Sequence, residues 1–374
     1  MENIDDNKKH FFRNVIIKTI ILLIIVNFGF AFLAGIPFGR LTLYNHVYFG
    51  RERFPFGEDP THSYNLSIYN LDAMFSSLVL NSVPKGLDEF RVLLVGDSSV
   101  WGSLLRNSET LSGQINLSNL TCNGKQVMAY NLGYPTLSVF KDLMVIDQSL
   151  KYNPDLIIWL FTLESFPLDN QISNPLIENN AYIAENIIQK YGLSNPDIMS
   201  IKNQNYWDKT IIGQRRNLAD LIRLQLYGFM WAATGIDQTI PDSFTPALRD
   251  FNYDASFHGM EEHNFEKGEL ALDILSSTAT EIQIPIVFVN EPILISEGEN
   301  SSIRYNYYYP RWAYDQYRTI LSKNIQTNKL TYYDFWDIIP NKEFTNSAIH
   351  LTPVGEKKLA SLIGDLLKDD ICNN

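Results

Sequence analysis

Short apolar runs alternate with amphipathic stretches along the central and C-terminal parts of the chain. Runs rich in β-branched and aromatic residues predict buried strands at 92–95, 127–131, 156–160, 286–290 and 330–335. Helical periodicity predicts helices at about 137–150, 214–233, 269–281 and 354–367. This alternation predicts an α/β fold, a three-layer doubly wound parallel sheet with helices on both faces.

The N-terminal segment carries an uncharged, mostly apolar run over residues 19–36. Its length is close to the roughly 20 residues of a bilayer-spanning helix. Lys8, Lys9, Arg13 and Lys18 precede it, which predicts a cytoplasmic N-terminal tip and an extracytoplasmic domain. A cleaved signal peptide and a buried core helix are the alternatives. The length of the run and its basic leader favour an uncleaved, single-pass transmembrane helix.

These patterns divide the chain into three parts. Residues 1–36 form a cytoplasmic tip and a membrane anchor, residues 37–90 form a stalk or a wrapping segment, and residues 91–370 form the folded domain. Within that domain, residues 165–267 are too many for a simple crossover, so we expect them to form a cap. The predicted helix at 214–233 lies in this cap, where its apolar face packs on the sheet or contacts a membrane or an acyl chain.

Charge and composition restrict the partners. The net charge of −12 and the isoelectric point near 5.0 argue against nucleic acid, which needs basic patches. His258 and His263 lie among acidic residues without a partner motif, so we interpret them as loop residues and predict no metal site. The two cysteines, Cys122 and Cys372, can pair in an exported chain, but the sequence does not decide this.

A serine follows the first predicted strand at a tight turn. The chain reads Gly96-Asp97-Ser98, with Gly102 four residues after the serine. The carboxyl ends of parallel strands form the ligand-binding edge of such sheets, so Ser98 is placed at that edge. A serine hydroxyl needs a base to become a good nucleophile. His350, in the loop before the last predicted helix, is the candidate base.

These segments resemble the SGNH (GDSL-type) hydrolase superfamily. The Gly-Asp-Ser block and the His350 loop carry the resemblance, together with a block at 127–134 in which the family places an oxyanion-binding glycine, here Gly133. The resemblance implies a flavodoxin-like sheet and a cofactor-free catalytic site. It implies that Ser98 is the nucleophile, that His350 is the base, and that Asp97 belongs to the catalytic block.

Two positions depart from the family pattern. Leu163 stands where the family has an oxyanion-binding asparagine, and loss of one such donor typically costs about a hundredfold to a thousandfold in rate. Ser347, preceded by Asn346, stands where the family has its triad acid. Either a Ser–His dyad acts alone or another carboxylate supplies the acid; the candidates are Asp334, Asp337 and Glu343. A block without the asparagine is similar to that of the membrane-anchored DltD and alginate O-acetylation proteins, which handle acyl groups on envelope polymers.

Four further side chains are predicted to bind substrate near the same sheet edge: Glu164, Asn290, Arg304 and Arg311. The segment 304–314 concentrates tyrosines between the two arginines. Aromatic faces suit sugar rings, and arginines suit carboxylates or phosphates. Packing of the rings beneath a long loop is the alternative.

The sequence therefore predicts a membrane-anchored acyl-ester hydrolase or O-acyltransferase acting on envelope glycans or other extracytoplasmic esters. Attack of Ser98 on an ester carbonyl, with His350 carrying the proton, is the predicted chemistry. The alternative is a non-catalytic protein of the same fold that binds a glycan or a protein partner in the envelope. The acyl group, the acceptor and the oligomeric state stay open.

Overall fold

A six-stranded β-sheet forms the centre of the computed structural model. The structure describes residues 2–33, 50–57, 68–195, 198, 205–234, 240, 243–246, 261–266 and 268–372. The strands in this part are β1 (Glu89–Gly96), β2 (Thr121–Cys122), β3 (Lys125–Gly133), β4 (Leu156–Phe161), β5 (Ile286–Asn290) and β6 (Thr331–Asp334). Their order across the sheet is β2-β3-β1-β4-β5-β6.

The parallel part of the sheet has a flavodoxin-like topology. Strands β3, β1, β4, β5 and β6 all run parallel, and in chain order this arrangement is 2-1-3-4-5. The prediction of a doubly wound α/β fold is confirmed, and all five predicted strands are present. Strand β2 was not predicted, because two residues are too few for a periodic signal; it pairs antiparallel with β3 at one edge.

Helices cover both faces of the sheet, and further helices lie in the long segment between β4 and β5. The four predicted helices are present as Val139–Ser149, Arg215–Thr234, Asp273–Glu281 and Pro353–Leu366. The described helices are α1 (Glu2–Phe30), α2 (Leu71–Ser76), α3 (Val79–Ser82), α4 (Ser98–Trp101), α5 (Leu111–Leu117), α6 (Val139–Ser149), α7 (Leu168–Ile172), α8 (Pro175–Asn179), α9 (Ala181–Lys190), α10 (Arg215–Thr234), α11 (Asp273–Glu281), α12 (Arg311–Asn328) and α13 (Pro353–Leu366).

The sheet has an apolar core on each face. Successive side chains of β1 alternate between the two cores, because a strand directs neighbouring side chains to opposite faces. Leu93 and Val95 pack in the core that includes α6, α11 and α12. Val92 and Leu94 pack in the core that includes α5 and α13. Helices on both faces explain why the strands are apolar throughout rather than alternating.

A disulfide joins the edge strand of the sheet to the segment after the last helix. Cys122 in β2 is bonded to Cys372, just after α13, with a sequence separation of 250 residues. The pairing that the sequence left open is therefore present in the structure. It fixes the edge hairpin of the sheet to the C-terminal end of the last helix.

The N-terminal part contains a long apolar helix and a segment that packs on the domain. The stretch Lys8–Leu33 is long and apolar enough to cross a membrane, with a mean hydropathy of 2.5 in its most apolar window. Phe54, Met74 and Phe75 are buried in a core of the domain. Residues 34–49 and 58–67 of the predicted anchor end and stalk, and His258 in the cap, lie outside the described residues.

Candidate active site

The turn after β1 presents Ser98 at the carboxyl edge of the sheet. A side chain at Gly96 would collide with Val100 and with the carbonyl of Leu160, so the turn requires glycine there. The Asp97 carboxylate caps α4 by accepting a hydrogen bond from the Ser99 N–H at 2.7 Å. Ser98 is the first residue of α4 and is half-buried, so its hydroxyl remains accessible.

His350 lies against this serine. The distance between His350 Nε2 and Ser98 Oγ is 2.8 Å, across 252 residues of chain. The loop that carries His350 is held by a hydrogen bond from the Thr345 N–H to the His350 carbonyl at 2.8 Å. Thr352 then caps α13 through the Gly355 N–H at 3.1 Å. The sequence prediction placed these two side chains on one edge, and the structure brings them within hydrogen-bond distance.

The second nitrogen of the imidazole faces an amide rather than a carboxylate. His350 Nδ1 lies 3.1 Å from Asn346 Oδ1, which acts as the acceptor when Nδ1 carries the proton. This tautomer leaves Nε2 free to accept the Ser98 hydroxyl proton. Burial lowers the pKa of His350 to about 4, so the ring is neutral near pH 7 and is able to act as a base.

None of the three candidate acids occupies the position of a triad carboxylate. Asp334 pairs with Arg318 at 2.7 Å and accepts a hydrogen bond from Asn290 at 2.9 Å. Glu343 accepts a hydrogen bond from Thr352 at 2.5 Å, and Asp337 is exposed. The outside-acid prediction therefore fails for this arrangement, because the Asn346 amide fills the place beside Nδ1. The arrangement is a Ser–His dyad oriented by an asparagine.

The oxyanion side of the site also departs from the family pattern. The Gly133 N–H donates to Asn131 Oδ1 at 3.0 Å, so it is engaged and does not point to a free oxyanion position. A side chain at Gly133 would collide with the backbone of Trp101, so this glycine allows β3 to pack against α4. Leu163 is buried, and its side chain carries no donor. The N–H of Ser98, in the first turn of α4, has no intrahelical acceptor, so it is a backbone donor at this turn.

A buried pair of carboxyl groups supports the serine turn from below. Asp97 and Glu291 are 2% and 1% exposed, and the Ser99 hydroxyl donates to Glu291 Oε2. Burial raises the pKa of Asp97, and burial followed by the charge of Asp97 raises the pKa of Glu291 well above its usual range. Both shifts favour a protonated carboxyl within this pair. Lys141 binds the Gly96 carbonyl at 2.9 Å and adds a positive charge beneath the same turn.

Glu291 was not predicted, although it directly follows β5. The same placement argument singled out Asn290, one residue earlier, whose side chain points the other way. Asn290 is fully buried: its amide donates to Asp334 at 2.9 Å and its oxygen accepts from Tyr317 at 3.0 Å. The substrate-binding prediction for Asn290 is therefore wrong, since its hydrogen-bonding groups are used inside the domain.

The other three predicted substrate residues lie in protein contacts. Glu164 is buried and accepts a hydrogen bond from Asn170 at 3.1 Å. Arg304 is 3% exposed, which places it inside the loop rather than at its surface. Arg311 donates to the Ser301 carbonyl at 2.5 Å and lies over the Tyr305 ring at 4.2 Å. Arg304 and Arg311 thus take part in the packing of the loop after β5.

The tyrosines of this loop divide into two groups. Tyr305, Tyr309 and Tyr314 are buried and pack against one another with ring centroids 5.1–5.7 Å apart. Packing, one of the two alternatives, therefore accounts for these three rings. Tyr307 and Tyr308 are only partly buried; the Tyr307 hydroxyl interacts with Ser347 in the His350 loop, and Tyr308 lies within electrostatic range of Glu164 and Asp97. These two tyrosines therefore lie near residues that flank Ser98 and His350 along the chain.

Comparisons with known proteins found similarity to solved structures only. No family model and no curated protein matches the sequence. An aryl esterase from M. Smegmatis is similar in structure, with 11% identity, 74% of this chain and 98% of the other covered, and a TM-score of 0.32. A lipase/acylhydrolase from Enterococcus faecalis is similar as well, with 14% identity, 74% of this chain and 95% of the other covered, and a TM-score of 0.33. A carbohydrate acetylesterase from Sinorhizobium meliloti has 11% identity, with 74% of this chain and 98% of the other covered, and a TM-score of 0.31.

The chain's own topology and site residues agree with what the resemblance to SGNH hydrolases predicts. Its parallel strands follow the order 2-1-3-4-5, a serine follows β1, and a histidine before the last helix reaches that serine.

Proposed function

We propose that this chain is a serine-dependent acyl esterase that uses Ser98 as nucleophile and His350 as general base. The observation that carries the proposal is the 2.8 Å contact between Ser98 Oγ and a neutral His350 Nε2. In the proposed step, Ser98 Oγ bonds to the ester carbonyl carbon while its proton passes to Nε2. The imidazolium then returns the proton to the departing alkoxide, and an acyl-serine remains.

Water or a sugar hydroxyl releases the acyl group in the second half of the reaction. His350 accepts the proton of the incoming hydroxyl while its oxygen attacks the acyl carbon. His350 then donates this proton to Ser98 Oγ as the bond between the serine and the acyl group breaks. Hydrolysis and O-acyl transfer differ only in this acceptor. We favour extracytoplasmic glycan esters as substrates, because Tyr307 and Tyr308 lie near residues that flank Ser98 and His350 along the chain, and their partly exposed rings suit sugar faces.

An exported location is part of the proposal. The apolar helix Lys8–Leu33 suits a membrane span behind a basic leader, and the Cys122–Cys372 disulfide suits an oxidising compartment. We propose that the anchor stays uncleaved, with residues 91–370 as the extracytoplasmic catalytic domain and 165–267 as its cap.

Ester hydrolysis by the purified full-length protein tests this function. With an aryl acetate as substrate, the variant Ser98→Ala is expected to lose about a thousandfold or more in kcat, since the nucleophile is removed. Ser118→Ala, at an exposed position at the end of α5, is the matched control and retains activity. If an O-acetylated oligosaccharide is the donor, mass analysis of the products with and without a glycan acceptor distinguishes transfer from hydrolysis.

A non-catalytic binding protein is the second candidate function. It is favoured by the engaged Gly133 N–H and by the apolar Leu163, which leave few oxyanion donors. On that reading the wild type and Ser98→Ala are equally inactive on every ester, and both bind the same glycan.

A further inference from the structure

A turn of the cap contacts the C-terminal end of the anchor helix. Tyr206 stacks on Phe28 with ring centroids 6.1 Å apart, and its hydroxyl donates to the Phe28 carbonyl at 2.8 Å. Trp207 meets the same ring edge-on at 5.2 Å. The Ile212 N–H donates to the Asn27 side chain at 3.0 Å. The cap is therefore fixed to the end of the helix that leads into the domain.

The same turn keeps large apolar surface exposed. Trp207 is 64% exposed, Ile212 is 66% exposed and Tyr206 is 44% exposed. Neighbouring exposed apolar side chains of this size mark an interaction surface. Tryptophan and tyrosine are the residues enriched at the boundary between lipid and water, because their rings are apolar and their edges are polar.

Helix α10 extends this surface, since it begins three residues after Ile212. One of its faces is buried against the domain through Leu224. Another face carries apolar side chains at helical spacing, and Ile222 and Leu226 on it are 57% and 69% exposed. Phe229 and Met230 continue this face one turn further and are also exposed. Arg215 and Arg216, both exposed, stand at the start of the helix, as in helices that lie in a membrane interface.

We propose that the cap surface formed by the 206–212 turn and the exposed face of α10 lies in the outer interface of the bilayer that α1 crosses. The place where the cap contacts the anchor helix favours a lipid surface as the occupant. Phe28 lies near the end of the apolar helix, so side chains packed on it lie at the depth where hydrocarbon meets headgroups. This inference rests on the proposed membrane anchor. A second copy of the chain is the competing occupant of the surface.

Lipid-depth quenching on the full-length protein tests the proposal. Both native cysteines are in a disulfide, so one added cysteine takes a thiol-reactive bimane selectively. The labelled sites are Trp207→Cys, Ile212→Cys and Leu226→Cys, in nanodiscs of phosphatidylcholine and phosphatidylglycerol that contain doxyl-labelled lipid. Ile24→Cys in the anchor and Leu87→Cys, 94% exposed before β1, are the lipid and solvent references.

The proposal expects an approximately twofold or greater loss of fluorescence at the three cap sites and at position 24, with little loss at position 87. Cap labels that behave like position 87 while position 24 is quenched would overturn the membrane contact and leave the anchor intact. Cap labels shielded from both doxyl lipid and aqueous iodide would also overturn it, in favour of a second copy of the chain. If position 24 is unquenched as well, the anchor itself fails.

Discussion

At the scale of single residues, the site is a neutral imidazole held between a serine and an asparagine. His350 contacts Ser98 at 2.8 Å and Asn346 at 3.1 Å. An amide orients the ring and selects its tautomer, but it gives no charge to stabilise the imidazolium that forms during attack. The two side chains are therefore placed for proton transfer, but no negative charge beside Nδ1 stabilises the imidazolium.

The low pKa of His350 predicts the acid limb of the pH profile. The base must be neutral, and its pKa is about 4, so kcat/KM is expected to be constant from neutral pH to about pH 5 and to fall as the pH drops through 4. In a triad, the carboxylate raises the pKa of the histidine, so activity would already fall at a higher pH as the solution is acidified. Initial rates measured across buffers from pH 3 to pH 8 check this, and an acid limb centred near 6.5 would contradict it.

Replacing the asparagine by a carboxylate is expected to strengthen the base. Asn346→Asp places a negative charge beside Nδ1, so the pKa of His350 rises, the acid limb moves to higher pH, and kcat near pH 8 increases about tenfold or more. Ser347→Asp, at the family's usual position, is the matched control. It is expected to produce a smaller shift, because Asn346 is the side chain that contacts Nδ1. Equal shifts from the two variants would refute the role given to Asn346.

The sequence predicted that Ser98 and His350 lie together, but it did not predict the residues around them. Ser98 and His350 follow from strand ends and from the resemblance, since both depend on local patterns. The Asn346 contact depends on how the His350 loop folds back on itself, which no periodicity encodes. Asn290 and Glu291 both follow β5, and only the direction of each side chain decides which one reaches the serine turn.

At the scale of elements, the strands were predictable because burial on both faces makes them continuous apolar runs. Helices α6, α11 and α13 were predictable because each packs one apolar face on the sheet, which gives its sequence a helical period. Helix α12 was not predicted, because its first turns are rich in tyrosine and arginine and resemble a loop segment. The role of Gly133 was also misjudged: its contact with Trp101 is a matter of packing between β3 and α4.

Helix α13 carries a buried acid whose removal is expected to stabilise the protein at alkaline pH. Glu356 is 2% exposed, its Oε2 has no partner among the described residues, and burial raises its pKa to about 8. The folded state therefore holds a proton between about pH 4.5 and 8 that the unfolded state releases, so stability falls as pH rises through that window.

The variant Glu356→Gln removes this dependence. Relative to the wild type, its free energy of unfolding is expected to gain on the order of 4 kcal/mol at pH 9 and to change by about 1 kcal/mol or less at pH 5. Asp365→Asn, at an exposed position on the same helix, is the control and should change neither value. Urea unfolding in detergent at the two pH values measures the difference. A gain that is the same at both pH values would contradict a buried, protonated Glu356.

At the scale of the whole molecule, one disulfide ties the sheet edge to the C-terminus. Because it closes a loop of 250 residues, its loss is expected to destabilise the domain by about 2–5 kcal/mol. Relative to the oxidised wild type, reduction with a thiol and the substitution Cys372→Ser should lower the urea midpoint by the same amount. A wild-type midpoint that is unchanged by reductant would show that the bond does not constrain the folded chain.

The long apolar helix contacts the segment between β4 and β5. Tyr206 and Trp207 of that segment pack on Phe28 near the end of the helix, whereas the Ser98–His350 pair lies at the carboxyl edge of the sheet. The apolar N-terminal run predicted a long apolar helix, which is present, and its contact with Tyr206 and Trp207 depends on tertiary packing that no sequence pattern shows.

Covalent labelling shows whether Ser98 is an activated nucleophile. The full-length protein is treated with a fluorophosphonate, and the adduct is located by intact-mass and peptide mass spectrometry. We expect one adduct on the peptide that contains Ser98, formed faster at pH 7 than at pH 3 and absent from Ser98→Ala. An unlabelled wild type, or equal labelling of Ser98→Ala, would show that Ser98 is not an activated nucleophile.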